Sequence, residues 1–255
     1  MTVPFVTAAT LAGTRHGFCG RRGGVSTGIF ASLNTGLGSS DDAAAVAENR
    51  RRAVAAVAPG ATLATVHQVH SAIVVIADPA TADADRPHAD GLVTDRPGVV
   101  LGILAADCAP VLFADVAAGV IGAAHAGWKG ALYGVLPATI AAMESLGARR
   151  DRIAAAIGPC IARASYEVSL SYADPFTAVD PSFAAFFTAG RPGHLQFDLE
   201  GFVVARLAAE GLPRIEATGR DTYANPGDWF SYRRTTHAGE GDYGRNLALI
   251  ALTTV

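Results

Sequence analysis

Between Val99 and Ala126 the chain is almost continuously apolar, and this stretch constrains the fold more than any other. Its main interruptions, Asp107-Cys108 and Asp115–Gly119, divide it into the runs Val99–Ala105, Val111–Ala114 and Val120–Ala124. Runs this short, rich in β-branched residues and bounded by turn residues, predict strands. They barely alternate between apolar and polar positions, so each must be covered on both faces. The turn at Asp115–Gly119 predicts that the second and third runs form an antiparallel hairpin. None of the runs reaches the roughly 20 apolar residues that span a bilayer.

Strands buried on both faces need other layers, and the flanking sequence supplies helices. Asp41–Val57 opens on an acidic pair, carries Ala and Val at helical spacing and stops at Pro59-Gly60, which predicts a helix. Trp128–Leu146 predicts another, closed by Gly147 and kinked or broken at Pro137. Two more are expected around Pro181–Thr188 and Leu199–Glu210, and Val69–Ala77 and Arg152–Ile157 read as further strands. Hairpins and helical connections together predict an α+β (mixed α/β) fold. The expectation is a single compact domain over residues 1–255, with mixed β-sheets flanked by helices.

Charge and cysteine usage exclude several classes of partner. The net charge is −3, and no block of like charge exceeds Arg50-Arg51-Arg52, so no basic face for nucleic acid is expected. Cys19, Cys108 and Cys160 are odd in number and far apart, which predicts a reducing compartment rather than a disulfide framework. With no signal-peptide pattern at the start, the expectation is a cytoplasmic protein with no membrane partner. Nothing in the residues prescribes an oligomer.

Histidine and cysteine are scarce, so their positions carry weight. His70 opens a predicted strand, Cys108 follows one, and His125 closes one. Two imidazoles and a thiolate at strand ends suit zinc, and three protein ligands leave a fourth position for water. The alternative is that Cys108 is an inert small hydrophobe, since no CxxC or HExxH pattern is present. His67 competes with His70, but in an extended segment residues three apart face opposite ways, and His70 adjoins the longer run. Asp107 either orients a ligand or caps the turn before Pro110. Lys129, the only lysine, follows His125-Ala126-Gly127-Trp128 and reads either as an anion contact or as a solvated first-turn residue. Arg50 and Arg233 are further candidates for an anion, since guanidinium groups bind phosphate or carboxylate bidentately; the alternative is that they are ordinary surface arginines. Gly23–Gly28 matches neither a dinucleotide fingerprint nor a P-loop and reads first as a turn.

Eight segments in order are familiar as a set. They are RRGGVSTGIFASLNTG (21–36), VAENRR (46–51), HQVHSAIV (67–74), ADGLVT (89–94), ADCAPVLFAD (106–115), AAHAGWKG (123–130), AIGPCIARASYEV (156–168) and FSYRRTTHAGEGDYGRNLALI (230–250). Together they resemble the YfiH-like family, also called laccase-domain or polyphenol oxidoreductase proteins, over nearly the whole chain. Carried over, the family's zinc ligands fall on His70, Cys108 and His125. The resemblance implies zinc-dependent phosphorolysis of purine nucleosides (adenosine, inosine, guanosine or methylthioadenosine) with inorganic phosphate, and adenosine deamination besides. It also implies a compact mixed α/β fold. Lys129 stands where many members have arginine, and Ser165 and Thr222 where others carry cysteine. These departures bear on substrate preference rather than on the metal.

Three other functions compete. Copper-dependent polyphenol oxidation would need more than these ligands. The only methionines available as an axial ligand are Met1 and Met143, and no His-x-His pair exists, although copper can occupy the same residues in vitro. A hydrolase with Cys108 as nucleophile and His125 as base is a second, and would suit an enzyme that edits cell-wall precursors. A non-enzymatic protein stapled by structural zinc is the third, and would draw a fourth ligand from His67, His16 or Cys19.

Overall fold

The computed structural model describes residues 2–253. Its five-stranded sheet runs in the order β1 (Phe5–Val6), β2 (Thr14–Cys19), β14 (Asn246–Leu252), β6 (Val99–Ala105) and β3 (Thr62–Thr65). A six-stranded sheet runs β13 (Arg214–Ala217), β9 (Ala154–Ile157), β7 (Ala109–Asp115), β8 (Val120–Ala126), β5 (Gly91–Thr94) and β4 (Val74–Ile76). A small third sheet joins β10 (Glu167–Ser169), β12 (His194–Phe197) and β11 (Phe187–Ala189). Parallel and antiparallel pairs coexist in both large sheets, so the mixed α/β expectation holds. Among the described residues, no helix is long and apolar enough to cross a membrane.

The missing alternation of the central runs has a direct cause. In β6, Leu101 and Ile103 face the six-stranded sheet, where they meet Leu112, Ala114, Ile121 and Ala123. Their neighbour Val100 packs on the outer side against Ala53 and Val57 of α1 (Ala43–Val57). In β7 and β8, Val111, Phe113, Val120 and Ala124 turn instead to α3 (Val135–Ser145) and α5 (Leu199–Ala209). The result is four layers, helix–sheet–sheet–helix, with apolar contacts on both faces of each sheet. The predicted hairpin is present, with Pro110 opposite His125 and Asp115 opposite Val120.

Several expected elements differ from those observed. Only Val74–Ile76 of the expected strand Val69–Ala77 pairs in a sheet, because the amides of Val69 and Ser71 donate to the Asp90 carboxylate instead of to a neighbouring strand. The helix beginning at Trp128 breaks at Gly134, not Pro137. Gly134 takes a φ of +110° between α2 (Trp128–Tyr133) and α3, a conformation open to glycine. Pro137 lies in the first turn of α3, where a missing N–H costs little. The helix expected at Pro181–Thr188 is a 3₁₀ segment, Pro181–Phe186, followed by β11. Its Phe183 and Phe186 reach Phe202 while Phe187 stacks on Phe197. The strand expected from Arg152 begins at Ala154, after a 3₁₀ turn over Arg150–Arg152. α1 begins after Asp42, whose side chain accepts from the Ala45 amide. The remaining helices are α4 (Asp174–Val179) and α6 (Tyr232–Ala238).

Candidate metal centre and its two cavities

The open end of the central hairpin, opposite its turn, brings three predicted residues together. His125 stands near the end of β8, Cys108 immediately before β7, and His70 in the loop leading to β4. One donor atom from each lies within 4.8 Å of the others. Cys108 Sγ is 3.9 Å from His70 Nε2, and the two imidazole rings meet edge to face at 4.8 Å. Around a tetrahedral zinc ion, sulfur and nitrogen donors lie about 3.5 Å apart, so this set fits such an ion with little closure. His125 is buried, Cys108 half-buried and His70 exposed, so the cluster opens to solvent on the His70 side.

The local backbone is shaped around these side chains. Among the described residues, His70 (φ 61°) and Asp107 (φ 87°) are the non-glycine residues with positive φ, one a candidate ligand and the other the residue before the candidate ligand Cys108. Strain of this kind persists only where surroundings impose it, and it concentrates at functional sites. A Cβ on Gly127 would lie 2.9 Å from Cys108 Sγ and 3.0 Å from His70 Cδ2, so the triad requires a glycine there.

Asp90 organises both imidazoles. It is fully buried, and its Oδ1 is 2.9 Å from His125 Nδ1. Its Oδ2 accepts from the amides of Val69 (3.1 Å) and Ser71 (2.6 Å) and from Ser71 Oγ (2.8 Å), the residues on either side of His70. Burial alone would raise its pKa, but the hydrogen bonds from His125 and Ser71 hold it well below the usual carboxylate range. The bond to Nδ1 leaves Nε2 of His125 to face the thiol. Burial would also raise the Cys108 thiol, yet the nearby His125 and His70 bring it down to about 6. His125 moves the other way, as the Cys108 and Asp90 charges outweigh its burial and raise it to about 9. Each group thus favours the charged form of the other, thiolate beside imidazolium.

The other predicted residues divide into two groups. Asp107 accepts from Thr222 Oγ1 (2.6 Å), Ser231 Oγ (2.9 Å) and the Arg233 amide (2.6 Å). Its Oδ2 thus pins the start of α6 beside Cys108, while its Oδ1 holds Thr222. Lys129 and Arg233 line a cavity of about 370 Å³ that includes His70 and Cys108. Arg50 is not brought there. It is buried on the inner face of α1, donates to Thr65 Oγ1 at 3.1 Å and pairs with Asp83 at 3.1 Å, beside a separate cavity of about 600 Å³. Its ordinary role is to tie α1 to β3. The Gly23–Gly28 segment, expected as a turn, is an irregular loop that bends at Gly23 and leads into a 3₁₀ segment at Gly28; the Val25 amide donates to Asn49 Oδ1.

None of the alternative fourth ligands joins the cluster among the described residues. His67 lies against the ring of His88, His16 Nε2 accepts from the Ala8 amide, and Cys19 packs in the core beneath α1. Met143 is buried between α3 and the sheet, and Met1 lies outside the described residues. Asp90, Ser71, Tyr232, Tyr243 and Arg245 are the site residues that sequence reasoning passed over. The sole available signal was that all five lie inside three of the eight familiar segments, 67–74, 89–94 and 230–250.

A four-layer mixed α/β fold with an open two-histidine, one-cysteine donor set at the end of its central hairpin defines the class of this protein. The chain belongs to the multi-copper polyphenol oxidoreductase laccase family, whose profile matches residues 15–253. It is 41% identical over 254 residues to a purine nucleoside phosphorylase of Deinococcus radiodurans, covering 98% of this chain and 93% of that one. It is 39% identical over 241 residues to purine nucleoside phosphorylase ORF3 of Streptomyces griseus, covering 94% and 96%. Among solved structures, protein NMB0706 of Neisseria meningitidis superposes with a TM-score of 0.88 at 33% identity, covering all of both chains.

Proposed function

We propose that this protein is a zinc-dependent purine nucleoside phosphorylase, held together chemically by the open His70–Cys108–His125 set. The observation that carries this reading is that two members of that set, His70 and Cys108, line a cavity that also presents Lys129 and Arg233. The names of the relatives at 41% and 39% identity point the same way. Bound by the three residues, zinc would supply a Lewis acid at the open corner of the site.

The chain's own groups do the rest. Lys129 Nζ has no carboxylate partner among the described residues and rests over the Trp128 ring at 5.5 Å. Arg233 donates one Nη to the Glu167 carbonyl and stacks on Tyr166, leaving its other N–H groups to the cavity. These two cations hold monohydrogen phosphate. One of its oxygens forms a bond to C1′ of the sugar as the C1′–N9 bond breaks. The bonding pair leaves on N9, and the proton carried by phosphate ends on the purine. Free base and sugar 1-phosphate result, with no redox partner.

Incubation with adenosine, inosine or methylthioadenosine, with and without phosphate, tests the reading. Base and sugar phosphate should form only when phosphate is present; inosine appearing from adenosine without phosphate would instead mark deamination. Lys129→Gln should raise the KM for phosphate about tenfold, equivalent to about 1.4 kcal/mol, while the KM for nucleoside stays unchanged. An unaltered phosphate dependence would place the anion elsewhere.

The lowered thiol and raised imidazole favour one second reading, a hydrolase with Cys108 as nucleophile. Chelation separates the two, since a hydrolase survives loss of metal and the phosphorylase does not. Iodoacetamide should modify Cys108 only in the metal-stripped protein. Because the thiol lies low, the reactive thiolate predominates above about pH 6 and disappears as pH falls through that value. Modification at an equal rate in metal-loaded protein would argue that sulfur is not a ligand.

A further inference from the structure

We propose that the nucleoside occupies a second, larger cavity beside the triad, held by Tyr243 and Arg245, and that phosphate enters from the smaller one. This deepens the phosphorylase reading and rests on it. The larger cavity measures about 750 Å³ and includes His70, Cys108 and His125 together with Arg86, Tyr232, Tyr243 and Arg245. Both volumes lie in the range of small-molecule sites. The two cavities share His70, Ala106, Cys108 and Tyr232, so two of the three donor residues stand at their junction and His125 faces the larger side.

Charge decides which reactant goes where. In the larger cavity each arginine already has an acidic partner, Arg86 with Asp83 and Arg245 with Asp242. In the smaller one, Lys129 and Arg233 have no acidic partner among the described residues, and both oxygens of nearby Asp107 are spent. The cations that make no ion pair among the described residues therefore lie on the smaller side, which suits an oxyanion. The larger side offers ion-paired guanidinium groups, Arg86 sharing Asp83 with Arg50, and aromatic faces, which suit a neutral base and sugar. Arg245 stacks on Tyr243 at 4.0 Å, and Tyr243 meets Tyr232 edge to face at 5.0 Å. Tyr232 is 53% exposed and lines both cavities. A purine extends such a stack at little conformational cost, because the rings are already ordered. The division also answers a geometric need: displacement at C1′ requires phosphate and departing base to approach from different sides.

Steady-state kinetics with inosine and phosphate, together with calorimetric binding of inosine in phosphate-free buffer, tests this on the metal-loaded protein. Tyr243→Ala should raise the KM for inosine and weaken its binding about tenfold, with the KM for phosphate unchanged. Tyr243→Phe, which keeps the ring, should restore both values. Lys129→Gln should leave inosine binding as in the unaltered protein. Wild-type inosine binding in Tyr243→Ala, or loss of it in Lys129→Gln, overturns the assignment. Failure of the parent reading looks different: the unaltered protein would release no base with phosphate, while the calorimetric arm would still report whether Tyr243 holds the nucleoside.

Discussion

Cys108→Ala is expected to remove bound metal and nucleoside cleavage together. Purified with equimolar zinc, the variant should retain less than about a tenth of it, since two imidazoles alone, one of them exposed, hold zinc poorly. Cleavage should fall by about 10³-fold or more, the scale of several kcal/mol of lost Lewis-acid stabilisation. Metal analysis by mass spectrometry beside the phosphate-dependent assay reads both. Full activity in the variant would remove sulfur from the mechanism. The choice of residue matters physically. Cys108 and His70 are partly open to solvent, so alanine at either leaves no buried charge stranded. His125 is different: its loss would leave the fully buried Asp90 carboxylate without a partner on Oδ1, which costs about 3–5 kcal/mol and confuses catalysis with folding. His70→Ala should therefore repeat the Cys108→Ala result, and His125→Ala should add a drop in melting temperature.

The candidate donor cluster was legible in the sequence because histidine and cysteine are scarce and because the eight family segments carry them, although His70 lies in a loop rather than at the strand end expected of it. The layers were legible for another reason: a run such as Val99–Ala105, apolar at successive positions, has no exposed face to show. Long-range partnerships were not visible. Arg50 and Lys129 look alike on paper, but Arg50 faces inward from α1 onto Thr65 and Asp83, whereas Lys129 points into a cavity. The strand expected at Val69–Ala77 failed for the same reason. Periodicity registers apolar side chains, but not a carboxylate twenty residues downstream that captures two backbone amides. The break at Gly134 rather than Pro137 shows that a proline's effect depends on its distance from a helix start, which the apolar pattern alone leaves open.

That carboxylate yields the second large effect. Asp90→Asn should lower zinc affinity about 10–100-fold, the range for losing a group that orients a metal-bound histidine, in a protein that remains folded. The argument turns on protons. Asp90 is an acceptor at both oxygens, toward His125 Nδ1 on one and toward Val69 and Ser71 on the other. Asparagine has one acceptor and one donor. If its amide nitrogen faces His125, Nδ1 must accept, the ring proton moves to Nε2, and the nitrogen that faces the thiol can no longer bind metal. If the nitrogen faces the loop instead, it meets two amide donors and a hydroxyl, and the backbone that holds His70 at its positive φ is released. Either orientation disables one histidine while leaving all three ligands in the sequence. Competition against a chromophoric chelator measures the affinity, and the absorption of the cobalt-loaded protein reports whether the ion keeps its thiolate and nitrogen donors. A weakened site with altered cobalt bands is the expected result. Wild-type affinity and spectrum in Asp90→Asn would mean that the two imidazoles find their positions without this carboxylate, leaving the packing of Cys108 and His70 against Gly127 to align the centre.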